Sequence, residues 1–118
     1  MSDARYAVVR MSDIEPVDCP CGRTRRAFRE QSGGVVSFHV FTVGVGEQLA
    51  RRHYHRTSTE VYYVLGGAGR MELDGRWEDL VPGKAILVKP GCRHRAEGDL
   101  TIALAAVPAF DPADEYFD

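Results

Sequence analysis

Short runs of β-branched and aromatic residues, separated by glycine and proline turns, recur along this chain. Their spacing of about ten residues is typical of β-sandwiches and β-barrels. Asp74-Gly75 predicts a tight hairpin within 70–80, because both residues readily adopt a positive φ. No stretch carries the apolar stripe of an amphipathic helix. The pattern therefore predicts an all-β domain, with its strongest strands at 35–43, 60–65, 85–89 and 100–107.

The two ends of the chain are less regular than its middle. Residues 12–34 hold a Cys-Pro-Cys turn and a basic cluster that we expect to be solvated surface (Arg23, Arg25, Arg26 and Arg29). The tail predicts one short helical turn. A chain of 118 residues is long enough for one hydrophobic core. We expect one domain in three parts: an N-terminal strand and irregular arm at 1–34 that packs on the barrel, a barrel core at 35–107, and a tail at 108–118.

Composition and charge exclude several classes of protein. The formal net charge of -2 makes nucleic acid a poor partner. No apolar run approaches the roughly 20 residues that span a bilayer. The first residues lack the basic and then apolar segments of a signal peptide. We therefore expect a cytoplasmic protein with neither a nucleic-acid nor a membrane partner.

The chain has three cysteines: Cys19, Cys21 and Cys92. An odd number argues against a disulfide framework in a chain that is not secreted. The Cys19–Cys21 pair leaves three interpretations open: a plain turn, a redox or substrate-facing thiol, and part of a second metal site.

His53 and His55, followed by Glu60 and later by His94, are the most informative side chains. Residues two apart point to the same face of a strand. Three imidazole nitrogens and a carboxylate oxygen suit one divalent transition metal, among Fe, Mn, Co, Ni, Cu and Zn. Four protein ligands on an octahedral ion leave two positions for a substrate. An isolated His-x-His pair is more often a pair of unrelated surface residues, so the surrounding sequence matters.

That surrounding sequence resembles the two motifs of the cupin superfamily. Four residues separate His55 from Glu60 and six separate Glu60 from Gly67, as in the first motif, whereas Gly46 lies one position early. In the second motif Gly91 and His94 are in register. Pro90 adjoins Gly91 where the family has a residue between them, and Gly98 stands where the family often has Asn.

The resemblance covers residues 35–107 and has consequences for fold and cofactor. It implies a small double-stranded β-helix, or jelly-roll barrel, with a metal inside. It also implies that His53, His55, Glu60 and His94 are the ligands of that metal.

Three further side chains are candidates for contact with a substrate. Arg51 shares strand parity with the two histidines, so it would clamp a carboxylate or phosphate, or else form a salt bridge at the barrel mouth. Tyr62 shares the face of Glu60 and would donate a hydrogen bond to substrate, or else fill the core. Cys92 shares the parity of His94, although it lies in a turn. His39, the fourth histidine, is expected in the core or at an edge.

Val61, Tyr63 and Leu65 have the opposite parity to Glu60 and would face outward. An apolar strip of this kind is covered when two copies pair, so we expect a homodimer.

These inferences converge on a metal-binding protein with a small-molecule partner. The first hypothesis is an enzyme that acts on a small oxygen-rich or carboxylate-bearing metabolite, by dioxygenation or by isomerase or lyase chemistry. The alternative is a cupin that binds or senses a sugar or metabolite without turnover. A third interpretation gives the metal a structural role alone, and fold cannot decide among them.

Overall fold

The structure is a computed structural model that describes residues 4–19, 21–44 and 51–117. Pro20 and Gly46 lie outside these described residues. Regular structure within them is β-strand, apart from two 3₁₀ turns at Met11–Asp13 and Pro112–Asp114. The strands are β1 (Val17–Cys19), β2 (Gly22–Ala27), β3 (Ser37–Val43), β4 (His53–His55), β5 (Thr59–Leu73), β6 (Arg76–Leu80), β7 (Ala85–Val88), β8 (His94–Val107) and β9 (Glu115–Phe117).

Two long strands, β5 and β8, form the central pair of the sheet. They are antiparallel along their whole length, from Thr59 opposite Val107 to Leu73 opposite His94. On its other edge β8 pairs with β3 and, at its first residue, with β4. β5 pairs with β7 and β6, and the strand order continues as β1-β2-β3-β8-β4-β9. The sheet curls into the all-β jelly-roll barrel that the sequence predicts, which confirms the fold class.

Alternation along the strands places the core inside the curl. On β5, Tyr62 and Val64 are buried, whereas Val61, Tyr63 and Leu65 are about half exposed at 45%, 46% and 49%. The apolar cluster comprises Phe41, Val43, Tyr62, Val64, Met71, Leu80, Val88, Ala96, Leu100, Ile102 and Leu104. The core therefore fills one part of the barrel and leaves the part around β4 to polar side chains.

The N-terminal arm is more regular than its sequence indicates. β1 and β2 form a hairpin that extends the sheet on β3, from Arg23 opposite Thr42 to Ala27 opposite Phe38. β2 is rich in arginine and has no apolar alternation, so its pairing with β3, rather than its own composition, makes it a strand. The basic cluster is accordingly divided: Arg23 and Arg29 are exposed, whereas Arg25 and Arg26 are half-buried.

Cys19 and Cys21 form a disulfide in this hairpin. Their Cα atoms lie 5.1 Å apart, within the range that a disulfide spans. The odd number of cysteines argued against such a bond; Cys92 is the cysteine left over.

The segment Gly66–Gly69, which the sequence marks as a break, lies inside β5. A register shift between Val64 and Gly66 lets the strand bend there and continue. Gly67 has a φ of +85°, and a Cβ at this position would lie 1.9 Å from the carbonyl oxygen of Asp99. The close approach of the β5 backbone to β8 thus requires glycine at position 67.

Replacing Gly67 by Ala should lower the free energy of unfolding by at least ~2 kcal/mol, from backbone strain and overlap with Asp99. The neighbouring Gly66→Ala is the matched control, because its Cβ would meet nothing within 4 Å. The free energy of unfolding of Gly66→Ala, measured by urea denaturation, should lie within about 0.5 kcal/mol of that of the wild type. Equal losses in the two variants would contradict the close approach at Gly67.

No helix within residues 4–19, 21–44 and 51–117 has the length and apolar character that crossing a membrane requires.

Candidate metal centre

Three buried histidines converge inside the barrel. His53 and His55 point inward from β4, and His53 pairs in register with His94 on β8. One ring nitrogen from each lies within 4.8 Å of those of the other two. His53 and His55 thus lie on the same face of a strand, as their spacing predicts. The pairing of β4 with β8 brings His94 beside them.

Backbone carbonyls fix the orientation of all three rings. Nδ1 of His53 lies 2.7 Å from the carbonyl oxygen of Arg51, Nδ1 of His94 lies 2.9 Å from that of Cys92, and Nδ1 of His55 lies 3.1 Å from that of Asp114. A carbonyl oxygen only accepts hydrogen bonds, so each Nδ1 carries the proton and donates. In a neutral ring with its proton on Nδ1, Nε2 carries the lone pair that binds a metal, as in many metal sites.

Glu60 lies beside these lone pairs and is almost fully buried. Its Oε1 is 3.1 Å from Nε2 of His94 and 3.4 Å from Nε2 of His55, and it accepts a hydrogen bond of 3.1 Å from the Tyr62 hydroxyl. An unprotonated Nε2 and a carboxylate oxygen repel one another at these distances unless a proton or a metal cation lies between them. The Nε2 of His94 is also buried without a hydrogen-bond partner among the described residues. The donor set therefore fits a divalent transition metal.

Burial keeps His53 in the protonation state that a metal requires. Desolvation, followed by the nearby His94, lowers the pKa of His53 to about 4. Its imidazole is therefore neutral at neutral pH, and no proton has to leave before a metal binds.

The histidines form one end of a cavity of about 50 Å³. One wall is apolar, and the opposite wall comes from the N-terminal hairpin and the C-terminal tail. The lining residues are Cys19, Cys21, Thr24, Arg26, His39, Phe41, His53, His55, Glu60, Tyr62, Met71, His94, Arg95, Ala96, Leu104, Phe110 and Glu115. The protein thus encloses the candidate metal centre from both ends of the chain.

The three candidate substrate contacts have different surroundings. Tyr62 is buried, lines the cavity and donates to Glu60. Arg51 is exposed, and its guanidinium lies 3.9 Å from the centre of the Phe117 ring. Cys92 is half-buried against the apolar core, where desolvation raises the pKa of its thiol. Among the described residues, the cavity lining includes Tyr62 but neither Arg51 nor Cys92.

The tail supplies contacts that the sequence did not indicate. β9 pairs with β4, with Glu115 opposite His55. The Asp114 carboxylate accepts hydrogen bonds from the backbone N–H groups of Arg56, Thr57 and Ser58, so it anchors the turn after β4. A strand of three residues has no detectable period, and the only available signal was the Asp111-Pro112 start of the short turn.

Comparison with known proteins agrees with this architecture. Residues 39–105 match a family model described as a cupin domain. Protein SchB of Streptomyces halstedii is 30% identical over 97 residues, which are 80% of this chain and 70% of that protein. A crystal structure of a protein from Planctomyces limnophilus is 42% identical, with a TM-score of 0.88 over 98% of this chain and 100% of that one.

A more distant structure shares the fold alone. Pac13, a nucleoside dehydratase from Streptomyces, is 20% identical, with a TM-score of 0.79 over 98% of this chain and 92% of that one.

The double variant His53→Ala/His55→Ala should lose stoichiometric metal while keeping the far-ultraviolet circular dichroism of a folded β-protein. Because two of the three converging imidazoles would be gone, metal affinity should fall by more than the roughly 100-fold that is lost when a residue supporting a ligand is removed. His39→Gln is the matched control, because His39 is equally buried but lies outside the converging group. Metal analysis by mass spectrometry is the measurement, and metal retained by the double variant would contradict the site.

Proposed function

This chain belongs to the cupin domain family, and we propose that it is a metal-dependent enzyme acting on a small oxygen-rich or carboxylate-bearing metabolite. One observation carries the proposal: three imidazole Nε2 atoms, each with a carbonyl oxygen at its Nδ1, lie beside a buried carboxylate in one cavity of the barrel. A purely apolar core would be easier to build, since each buried polar group costs free energy when it has no partner.

The proposed ligands are His53, His55, Glu60 and His94, one metal to each chain. When bound, a divalent ion with open positions polarises a substrate oxygen or activates a second reactant there. The three carbonyls hold the imidazoles in place, so the site needs little rearrangement. Tyr62 holds Glu60 by its hydrogen bond and keeps the carboxylate turned toward the histidines.

The rest of the cavity has a mostly apolar surface with a few polar groups, at which oxygen atoms of a substrate would bind. Hydroxyl and guanidinium groups from Tyr62, Thr24 and Arg26 line it beside the histidines, and Phe41, Met71 and Leu104 exclude water from the remaining wall. The reaction class that we propose is isomerisation or elimination through an enediolate-like state, or dioxygenation. Pac13, which shares the fold, is a dehydratase, and dehydration belongs to the elimination class.

Metal loading followed by activity assays separates the reaction classes. Protein purified without oxygen should bind one metal per chain and turn over a member of a library of hydroxy acids, keto acids and sugars. Oxygen uptake with the iron form would identify a dioxygenase, whereas turnover with Mn, Co, Ni or Zn in the absence of oxygen would identify an isomerase or lyase.

The His53→Ala/His55→Ala variant is the blank for these assays, and any activity that it keeps comes from a contaminant. Tight binding of a library member without turnover under any metal would contradict an enzyme and support the sensing alternative.

We further propose that the chain is a cytoplasmic homodimer. Val61, Tyr63 and Leu65 form an exposed strip on β5, and Leu87 of β7 extends it, since Leu87 pairs with Val61 and is 57% exposed. Self-association would bury this strip.

Tyr63→Glu should convert the dimer to a monomer in sedimentation velocity, because it places a charge in the centre of the strip. Val17→Glu is the control: Val17 is equally exposed, at 46%, but lies on β1, away from the strip. A dimer that survives Tyr63→Glu, or a wild-type monomer, would contradict this proposal.

A further inference from the structure

Buried polar atoms without partners are concentrated in one place. Within the described part of the chain, four side-chain nitrogen or oxygen atoms are buried without a hydrogen bond: Thr24 Oγ1, Arg26 Nε, Arg52 Nε and His94 Nε2. Thr24, Arg26 and His94 line the same cavity. Such atoms cost free energy unless a ligand meets them, so their concentration indicates a binding site. The metal accounts for His94 but leaves Thr24 and Arg26 without an explanation.

We propose that Thr24 and Arg26 form a carboxylate subsite that holds one end of the substrate while its other end lies at the histidines. This inference rests on the proposed function and adds the residues that select an anionic substrate. Arg51, the arginine that the sequence favoured for this role, stacks on Phe117 instead.

Strand geometry brings the two donors together. Thr24 and Arg26 are two residues apart on β2, so their side chains share one face and their Cα atoms are about 6.6 Å apart. The hydroxyl of Thr24, which is 2% exposed, and the guanidinium of Arg26 can both donate hydrogen bonds. A carboxylate has two acceptor oxygens and no proton to donate, so it satisfies both groups at once.

Glu115 interacts electrostatically with Arg26, but Arg26, unlike the other arginine of the cavity, has no close ion-pair partner among the described residues. Arg95 donates to Glu72 over 2.7 Å, so its charge is paired. None of the ion pairs among the described residues involves Arg26. Its guanidinium carbon lies 4.6 Å from the centre of the Phe110 ring, a contact that helps to position it beside the cavity.

Two carboxylates share the cavity with Arg26, and they set a condition on the ligand. Glu60 lies at the histidines, and Glu115 faces the cavity from the tail. Without a metal, these two negative charges and the positive charge of Arg26 sum to a net negative charge. A divalent cation makes that sum positive. An anionic ligand should therefore bind better to the metal-loaded protein.

A second cavity lies next to the first, on the other side of residues that line both. It has a volume of about 230 Å³ and shares Arg26, His39 and Phe110 with the inner cavity. Arg29, which is exposed, lines the outer cavity as well. Arg26 thus lies at the boundary between the two cavities, where it can hold a carboxylate whose carbon skeleton extends in either direction.

The experiment compares two ligands that differ only in the charged end. Succinic acid monohydroxamate carries a metal-chelating hydroxamate and a carboxylate; its amide counterpart replaces the carboxylate by a neutral carboxamide. Calorimetric Kd values are measured on Co²⁺-loaded and metal-free protein. The wild type should prefer the carboxylate by roughly 10-fold or more, the value expected for a charge-assisted hydrogen bond. Arg26→Met should reduce this preference to within about twofold, and Thr24→Val should reduce it in part.

Arg56→Met is the matched control, because Arg56 also stacks on an aromatic ring, that of Tyr116 at 4.3 Å, but lies outside the cavity lining. It should keep the full preference. If Arg26→Met does not fold, Arg26→Lys and Thr24→Val test the same site, since Lys retains the charge without the Nε donor.

Three results would overturn the subsite: a wild type without preference for the carboxylate, an Arg26 variant that keeps the preference, or a preference that disappears in Arg51→Met instead. Metal content is measured separately on each sample. A wild type that binds no metal would refute the proposed function, whereas an Arg26-dependent preference in that metal-free protein would still support the subsite.

Discussion

The arrangement of this barrel depends on three hydrogen bonds from imidazole Nδ1 atoms to backbone carbonyls. The acceptors belong to Arg51, Cys92 and Asp114, which lie two residues before β4, two residues before β8 and one residue before β9. Because carbonyls only accept, each bond selects one tautomer and one ring orientation. The three Nε2 atoms converge only if the strands meet in a single register. The pairing of β4 with β8 on one edge and with β9 on the other provides that register.

The cavity has two types of polar group, and the difference between them is informative. Arg95 lines the cavity, but its charge is paired with Glu72, which also pairs with Arg52 outside the cavity lining. His94, Thr24 and Arg26 instead present atoms without partners to the interior. A fold that optimised stability alone would pair or remove these atoms, so their presence at one cavity is best explained by binding.

The sequence predicted the fold and the centre of the site more fully than the walls of the cavity. Local patterns predicted β3, β7 and the hairpin at Asp74, but only residues 60–65 of β5 and 100–107 of β8. The spacing of His53 and His55 within a strand places them together. The two ends of the chain were harder. β2 is polar and forms a strand because it pairs with β3. No local sequence pattern therefore indicated that Arg26 faces inward. The contact between His55 and Asp114 spans 59 positions, and no short pattern reports such a separation. Arg51 had the correct parity, but it lies two residues before β4, outside the strand, where parity no longer fixes direction.

The anchoring of the tail has a consequence for the order of events during biosynthesis. Asp114 supplies the carbonyl that orients His55, and its carboxylate closes the turn after β4, so the imidazole triad acquires its geometry only when the last strand has docked. A ribosome exposes that segment after every other part of the barrel. The histidines therefore acquire this geometry only after residues 114–117 have emerged, on a barrel whose strands β1 to β8 are already exposed, and a nascent chain that is shorter than this lacks the carbonyl that orients His55.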